Sequence, residues 1–161
     1  MPVAPTEVET VLQLLSATPR GLVAMTGDLD PARLNFKPDA DTWSVSEILA
    51  HLRSCADVWG GSIQAMLARE HPTLRYISPR TWIRKTDYPR LDFRPSLAAF
   101  TQQRAELMRS LKVLDLDGWS RGATFTGTMK GREQTVLNYA QRMADHEVQH
   151  LAQIASLLTG P

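Results

Sequence analysis

The feature that most constrains the fold is a continuous apolar stripe in the segment that follows residue 43. Apolar side chains recur there at helical spacing, so they share one face of a single helix. Ser44 is a favourable N-cap, and Glu47 stands three residues later, as in a capping box. His71-Pro72 is expected to end this helix. The stripe consists of Val45, Ile48, Leu49, Leu52, Ala56, Trp59, Ile63 and Met66.

Two further segments show helical periodicity with recognisable starts. The first helix is predicted to begin at Thr6, whose hydroxyl forms a capping-box pattern with Glu9. Its apolar residues recur as far as Leu29, with an interruption at Pro19 to Gly21 that predicts a kink or a break. The third helix is predicted to begin with Ser96 as its N-cap.

The fourth helix is predicted from about residue 132 to residue 158. Residues 118–131 before it contain several glycines and are predicted as a loop or a small hairpin, with brief pairing between Ala123 and Met129. Four amphipathic helices in 161 residues predict an all-α fold, a four-helix bundle forming one domain over residues 1–161. A long crossover loop then joins the second and third helices.

This crossover, residues 69–94, has no apolar periodicity and contains three prolines. It carries seven Lys and Arg residues against three Asp and Glu residues. Because loops of this length in compact domains are usually functional, we expect an ordered cover with one short helical turn. Its cationic side chains are candidates for binding an anionic substrate, the alternative being an ordinary solvated loop. The candidates are Arg75, Arg80, Arg84 and Arg90.

Composition excludes several classes of protein. Hydrophobic residues make up 43% of the chain and charged residues 22%, ordinary values for a globular domain. No window holds the roughly 18 apolar residues of a membrane span, and a net charge of +1 gives no electrostatic basis for binding nucleic acid. The sequence opens without a basic cluster and apolar run, and Cys55 is its one cysteine. We therefore expect a cytoplasmic protein with no disulfide and no membrane or nucleic-acid partner.

The fourth helix carries the sequence His146-Glu147-Val148-Gln149-His150. Side chains four residues apart share a helix face, so the two imidazoles form a chelating pair. The spacing also matches the H-E-x-x-H signature of zinc peptidases. Those enzymes need a further ligand downstream, but the 11 residues after His150 include no Asp, Glu or His. Gln153 and Ser156 also stand where a metzincin has Gly and His, so the sequence argues against a peptidase.

His51 is the candidate for a third metal ligand. It lies at one edge of the apolar stripe of the second helix, and His146 and His150 lie at the equivalent edge of the fourth. Inward-facing edges of adjacent bundle helices can converge on one point. Three neutral imidazoles with an open position are typical of a catalytic divalent metal. The alternative is a core histidine beside an unrelated surface pair.

Two stretches, Trp43 to Leu52 and Ala144 to Ile154, resemble the hallmark segments of the DinB/YfiT-like family of four-helix bundles. In that family a tryptophan leads a second helix bearing one histidine, and the fourth helix bears H-x-x-x-H. The resemblance implies a divalent metal, such as zinc or nickel, held by His51, His146 and His150. Characterised relatives include thiol-dependent S-transferases and a thiol-dependent maleylpyruvate isomerase. They imply a low-molecular-weight thiol as co-substrate.

Four other side chains near this triad are weaker candidates. Glu147 falls in the middle of an apolar stripe, where it could support a ligand, act as a base, pair with a buried arginine or reach solvent. Tyr139 and Gln153 lie within about 20° of His146 on the helical wheel and could line a substrate pocket or simply pack. Cys55, one turn after His51, is either a fourth soft ligand or a buried inert thiol.

These observations favour a metal-dependent enzyme of the thiol S-transferase type that acts on a small molecule. A metal lowers the pKa of a bound thiol, and the arginines of the crossover would bind the carboxylate of that thiol. A hydrolase could use the same site. A non-catalytic metal-binding protein, with the bundle as a dimerisation scaffold, is the alternative from another class. We expect a homodimer.

Overall fold

Four long helices form a bundle in the computed structural model, which describes residues 2–128 and 132–160. The helices are α1 (Pro5–Thr26), α2 (Pro31–Leu34), α3 (Val45–Ala68), α4 (Pro79–Trp82), α5 (Phe93–Lys112), α6 (Leu116–Ser120) and α7 (Val136–Thr159). Helices α1 and α3 each pack against both α5 and α7. This arrangement confirms the predicted all-α four-helix bundle, with a long crossover between α3 and α5.

A small sheet closes one part of the bundle and was not expected in this form. Its strands are β1 (Thr73–Arg75), β2 (Gly122–Thr126) and β3 (Glu133–Thr135), in the order β1-β2-β3. β1 pairs with β2 in parallel, and β2 pairs with β3 antiparallel. The predicted hairpin exists, but the partner strand begins at Glu133, in the stretch assigned to the fourth helix. Met129, at the end of the predicted pairing, lies outside the described residues.

Helix α1 begins and continues differently from the prediction. It starts at Pro5 rather than Thr6, and Glu7 rather than Glu9 accepts a hydrogen bond of 2.9 Å from the backbone N–H of Ala4. Proline is favourable at the first helical position because the missing N–H would have no helical partner there. The helix then runs through Pro19, which is buried, without the predicted break.

The carbonyl that Pro19 leaves without a helical partner is satisfied by another helix. A proline has no N–H to donate to the carbonyl four residues earlier, which here belongs to Leu15. Arg104 of α5 donates a hydrogen bond of 2.8 Å from Nη1 to that oxygen. The buried guanidinium therefore offsets the loss that would otherwise break α1.

The starts of α5 and α7 also differ from the prediction. The N-cap of α5 is Asp92, and Ser96 is a buried residue of its first turns. Ser96 accepts a hydrogen bond of 3.2 Å from Arg53 instead of capping the helix. Helix α7 begins at Val136, because Thr135 and Asn138 form a capping box with bonds of 3.0 and 3.1 Å.

Helix α3 supplies the largest share of the core, and its predicted stripe is buried as expected. The predicted capping box is confirmed: Ser44 accepts from the N–H of Glu47 at 3.1 Å, and Glu47 accepts from the N–H of Ser44 at 2.8 Å. Within the described residues, the helices lack the combination of length and apolar character that crossing a membrane requires.

Candidate metal centre

Three imidazoles from two neighbouring helices meet between α3 and α7. Nε2 of His51 is 3.1 Å from Nε2 of His146, and Nε2 of His146 is 3.1 Å from Nε2 of His150. The four-residue spacing on α7 places its two rings on one face. Close packing of α3 against α7 brings His51 to them. The structure therefore brings together the three histidines that the sequence singled out.

Two tryptophans surround the imidazoles. The ring of Trp43 lies 5.0 Å from the ring of His51 and stacks at 13° over the ring of His150, 6.2 Å away. The ring of Trp59 meets the ring of His146 edge-on at 5.0 Å. Both tryptophans therefore pack against the imidazoles.

Burial keeps the imidazoles neutral. Burial first, and then the neighbouring imidazoles and Arg80, lower the pKa of His51 and of His146 from 6.5 to about 4. Burial also lowers the pKa of His150, against an opposing contribution from Gln153. A metal binds the neutral form of an imidazole, so these groups remain competent as ligands well below neutral pH.

The tautomer of His150 is set by Gln153. Nδ1 of His150 lies 2.8 Å from Oε1 of Gln153. An amide oxygen can only accept, so Nδ1 carries the proton and Nε2 keeps its lone pair. A hydrogen bond from the outer ring nitrogen is the usual support of a metal-binding histidine. Gln153 also lines the histidine cavity, and its part in substrate binding stays a prediction.

The spacing of the donor atoms fits a divalent ion. Two nitrogens bound to one ion at about 2.0–2.1 Å are about 2.9 Å apart at a right angle and about 3.3 Å apart at the tetrahedral angle. The observed separations of 3.1 Å lie between these values. Nδ1 of His146 is buried and has no hydrogen-bond partner among the described residues. Imidazole donors suit zinc, nickel, copper and iron.

Cys55 belongs to the same cluster. Its Sγ lies 3.5 Å from Nε2 of His51. The donor atoms of Cys55, His51 and His146 all lie within 4.8 Å of one another. Burial raises the pKa of the Cys55 thiol to about 12, so without an ion the thiol stays protonated at neutral pH.

The imidazoles lie on the wall of an open cavity of about 750 Å³. Arg80 also lines this cavity, and its guanidinium carbon lies 5.9 Å from the centre of the Trp43 ring. Of the other predicted arginines, Arg84 and Arg90 are exposed and line no part of this cavity among the described residues. Arg90 instead borders a separate cavity beside α2. The crossover therefore borders the cavity through Tyr76, Ser78, Pro79 and Arg80, and Arg80 is the one predicted arginine among these lining residues.

The crossover is fastened to α3 by Asp57. Its Oδ2 accepts hydrogen bonds from Nε1 of Trp82 at 3.0 Å and from the hydroxyl of Tyr88 at 2.5 Å. Its Oδ1 accepts from Gln103 at 2.8 Å. Ser54 adds a hydrogen bond of 2.5 Å to the carbonyl of Pro79, next to Arg80. This segment is an ordered cover, as expected, with a helical turn at α4 and two 3-10 turns, Ile83–Lys85 and Tyr88–Arg90.

Glu147 faces away from the cavity, into the core. It is 2% exposed and forms a two-bond ion pair with Arg104, in which Nη1 donates to Oε2 at 2.9 Å and Nη2 donates to Oε1. Thr18 donates a further bond of 2.7 Å to Oε2. Both oxygens are therefore occupied. Of the roles considered for Glu147, the geometry favours partnership with a buried arginine and not the catalytic role.

Tyr139 also lies away from the histidines. It is 2% exposed, and its ring stacks on the ring of Phe125 at 4.9 Å and 11°. It borders a smaller cavity between α3 and the sheet, which is separate from the histidine cavity. The wheel angle placed it near His146, but Tyr139 is nearly two turns earlier on α7, where β2 covers the helix. The structure therefore places Tyr139 outside the lining of the histidine cavity, and its part in substrate binding stays a prediction.

Sequence reasoning missed two structurally important polar residues. Arg104 lies within the apolar periodicity of Leu97, Phe100, Leu107 and Leu111, and that position alone could have identified it as the partner of Glu147. Asp57 offered no comparable signal, because its partners come from the crossover and α5. These segments come close to Asp57 only in the tertiary structure.

The chain is similar to known proteins both in sequence and in structure. The sequence profile described as the DinB superfamily matches residues 14–154. Among curated protein sequences there is no match. A solved structure of YfiT from Bacillus subtilis, described as a probable metal-dependent hydrolase with an unusual four-helix bundle topology, is similar in fold. Its TM-score is 0.82 at 20% identity, over 96% of this chain and 87% of that chain.

Proposed function

Since the chain belongs to the DinB superfamily, we propose that it is a metal-dependent enzyme that acts on a small molecule at the cavity between α3 and α7. The observation that carries this proposal is that Nε2 of His146 lies 3.1 Å from Nε2 of His51 and 3.1 Å from Nε2 of His150, on the wall of an open cavity. Neutral imidazoles that lie close together without charged partners pack less well than apolar side chains, but they are good metal ligands.

A divalent ion, when bound by His51, His146 and His150, supplies a Lewis acid that makes a thiol or water nucleophilic at neutral pH. The chain supplies the rest. Gln153 holds the His150 ring in the tautomer that presents Nε2. Trp43 restricts the rotation of two of the rings by direct contact.

The cavity also has a place for an anionic group. Arg80 is exposed, lines the cavity and lies over the Trp43 ring, so its cation is directed along one wall. The bonds of Asp57 and Ser54 to neighbouring parts of the crossover hold this segment against α3. A carboxylate-bearing substrate would meet Arg80 while its reacting end lies at the histidines.

Transfer of a low-molecular-weight thiol to an electrophile is the reaction that we propose first. Biological thiols of this kind carry carboxylates, which suits a cavity holding one accessible arginine beside a soft-metal site. Hydrolysis is the second candidate, and the description of YfiT as a probable metal-dependent hydrolase favours it. Peptide hydrolysis of the H-E-x-x-H type is not expected, because Arg104 and Thr18 occupy the carboxylate that would act as the base.

The experiment begins with the full chain purified without a histidine tag. Metal content is measured by elemental analysis, and the protein loaded with zinc, nickel, cobalt or manganese is assayed for two reactions. One is conjugation of glutathione-like and cysteine-containing thiols to bimane and epoxide electrophiles. The other is hydrolysis of small esters and amides. His51→Ala is compared with the matched control His71→Ala, because His71 is exposed and bonded to Thr124 and Glu133, outside the cavity.

We expect about one metal per chain, and activity that His51→Ala abolishes and His71→Ala retains. Thiol conjugation without hydrolysis supports the transferase, and the reverse result supports the hydrolase. If the loaded protein catalyses neither reaction while binding metal fully, the enzyme proposal fails in favour of a metal-binding role. Equal metal content in wild type and His51→Ala would reject the site itself.

A further inference from the structure

Cys55 has no task in the function proposed above, yet it lines the same cavity as the histidines. It follows His51 by four residues on α3, so both side chains project from one face. Its Sγ is 3.5 Å from Nε2 of His51. The donor atoms of Cys55, His51 and His146 all lie within 4.8 Å of one another. One ion placed among these atoms could therefore bind all of them.

The nitrogen–sulfur distance matches ligation. An ion bound to nitrogen at about 2.0–2.1 Å and to sulfur at about 2.3 Å separates the two donors by about 3.5–3.6 Å at the tetrahedral angle. The observed distance is 3.5 Å. A hydrogen bond from the thiol to the imidazole can have the same length. It does not, however, account for Nε2 of His146 approaching the same nitrogen of His51 to 3.1 Å.

We propose that the Cys55 sulfur is a ligand of the ion, so that the donor set of this site is mixed nitrogen and sulfur. This inference rests on the proposed metal site and goes beyond the three-histidine arrangement. A thiolate among the ligands favours zinc, cobalt and cadmium over magnesium and manganese. Because the thiol is protonated without an ion, ligation would release its proton to solvent. The thiolate would then reduce the net charge of the site by one and weaken the attraction of the ion for anionic substrates.

The sulfur also determines how many positions remain for a substrate. The donor atoms of two imidazoles and the sulfur lie within 4.8 Å of one another. If His150, whose Nε2 is 3.1 Å from Nε2 of His146, binds the same ion, the protein donors number four, as in a closed zinc site. A substrate then binds by raising the coordination number to five or by replacing the sulfur. Removing the sulfur should open the site and broaden the range of ions that it accepts.

The test uses cobalt(II) bound to the full-length, untagged protein. A thiolate ligand gives an intense near-ultraviolet charge-transfer band from sulfur to cobalt, which imidazole ligands do not give. Cys55 is the one cysteine of the chain, so a thiolate band has a single source. We expect the band in wild type and its loss in Cys55→Ser and Cys55→Ala, with about one cobalt per chain still bound in both variants.

A second measurement compares affinities for cadmium and manganese by competition with a chelator of known affinity. The preference for cadmium over manganese should fall at least tenfold in Cys55→Ala. His71→Ala is the control, and both its band and its ion preference should equal those of wild type. If neither cysteine variant folds, the wild-type spectrum decides the question alone.

The outcomes separate this inference from the function on which it rests. Cobalt bound with a purely nitrogen and oxygen spectrum in wild type would overturn ligation by Cys55 and leave the histidine site intact. An unchanged cadmium preference in Cys55→Ala would do the same. A wild-type protein that binds no cobalt, zinc or cadmium would overturn both the inference and the proposed function.

Discussion

His146 and Glu147 are consecutive residues of α7, yet they belong to regions of opposite character. His146 faces the open cavity, where its neighbours are other imidazoles and Cys55. Glu147 faces the core, where Arg104 and Thr18 occupy its two oxygens. The H-E-x-x-H pattern therefore combines two different sites on one helix.

The two regions differ in how many of their polar atoms have hydrogen-bond partners within the protein. In the core network, every bond runs between described side chains or to a backbone carbonyl. In the cavity, Nδ1 of His146 has no partner among the described residues, and its Nε2 lies 3.1 Å from Nε2 of both His51 and His150. Polar groups whose hydrogen bonds are all made within the protein stabilise the fold. Polar groups that lack such partners are available to bind a ligand.

Removal of a cavity histidine should have the largest effect. Replacing His51, His146 or His150 with Ala is expected to weaken binding of zinc or cobalt by orders of magnitude, because each removes one of the few direct ligands. Isothermal titration with a competing chelator measures this loss. Glu147→Gln is the informative neighbour, and we expect it to keep full metal stoichiometry. Loss of the metal in Glu147→Gln would contradict the assignment of Glu147 to the core and not to the metal site.

Disruption of the core network should affect stability instead. Arg104→Met or Glu147→Leu alone leaves a buried charge without its partner and is expected to lower the free energy of unfolding by about 3–5 kcal/mol. Urea denaturation of the metal-free protein measures this change. The double variant should recover part of the loss, since both charges are gone. It does not restore the hydrogen bond from Arg104 to the carbonyl of Leu15. A double variant as unstable as the sum of the single variants would contradict this account.

Acid should destabilise the metal-free protein through the cavity. The pKa of His51 and of His146 is lowered from 6.5 to about 4, chiefly by burial. Between these pH values the folded protein binds fewer protons than the unfolded chain, so stability falls as pH decreases from 6.5 towards 4 and is unaffected by these groups above 6.5. The effect should be smaller than that of the core variants, because the cavity is open to solvent.

Urea titrations across this pH range, with a chelator present, measure the slope. The slope should be shallower in His51→Gln/His146→Gln than in wild type, whereas His71→Gln should retain the wild-type slope. Parallel curves for wild type and the double variant would show that the cavity does not hold its histidines neutral.

Charge reversal at Arg80 should produce the smallest effect. Arg80→Glu is expected to lower kcat/KM for anionic thiols or substrates several-fold and to weaken the dependence of that value on salt, because exposed charges act through screened attraction. Metal content and stability should not change. The matched control is Arg84→Glu/Arg90→Glu, whose side chains lie outside the cavity. A control that behaves like Arg80→Glu would assign the effect to the crossover as a whole.

Both the bundle and the histidine cluster could be predicted from the sequence, because they depend on local rules of helical geometry. Apolar side chains at helical spacing must be buried, and a helix rigidly fixes the relative directions of residues four apart. The stripe of α3 and the pair His146 and His150 express these local rules. The position of His51 at the matching edge of its own stripe left open both convergence with the pair and an unrelated core histidine. The resemblance to the DinB/YfiT-like family favoured the convergence.

The starts of helices were harder to predict from the sequence, because several nearby residues are suitable as each N-cap. Ser96 is a good N-cap by residue type, yet α5 begins earlier at Phe93. Ser96 pairs with Arg53, which lies on another helix. The sheet escaped prediction for a similar reason: β1 and β2 are about 50 residues apart in the chain, and their parallel pairing depends on how the crossover returns to the bundle.

By itself, the sequence determined the class of fold, the pairing of His146 with His150 and the side of α3 on which His51 lies, since these follow from helical geometry. Only the tertiary structure decided that Glu147 pairs with Arg104, that Pro19 lies within an unbroken α1, and that Arg80 alone among the predicted arginines reaches the cavity. Each of these depends on which helix or loop approaches which. That choice is made by packing between segments distant in the chain, and no local pattern encodes it.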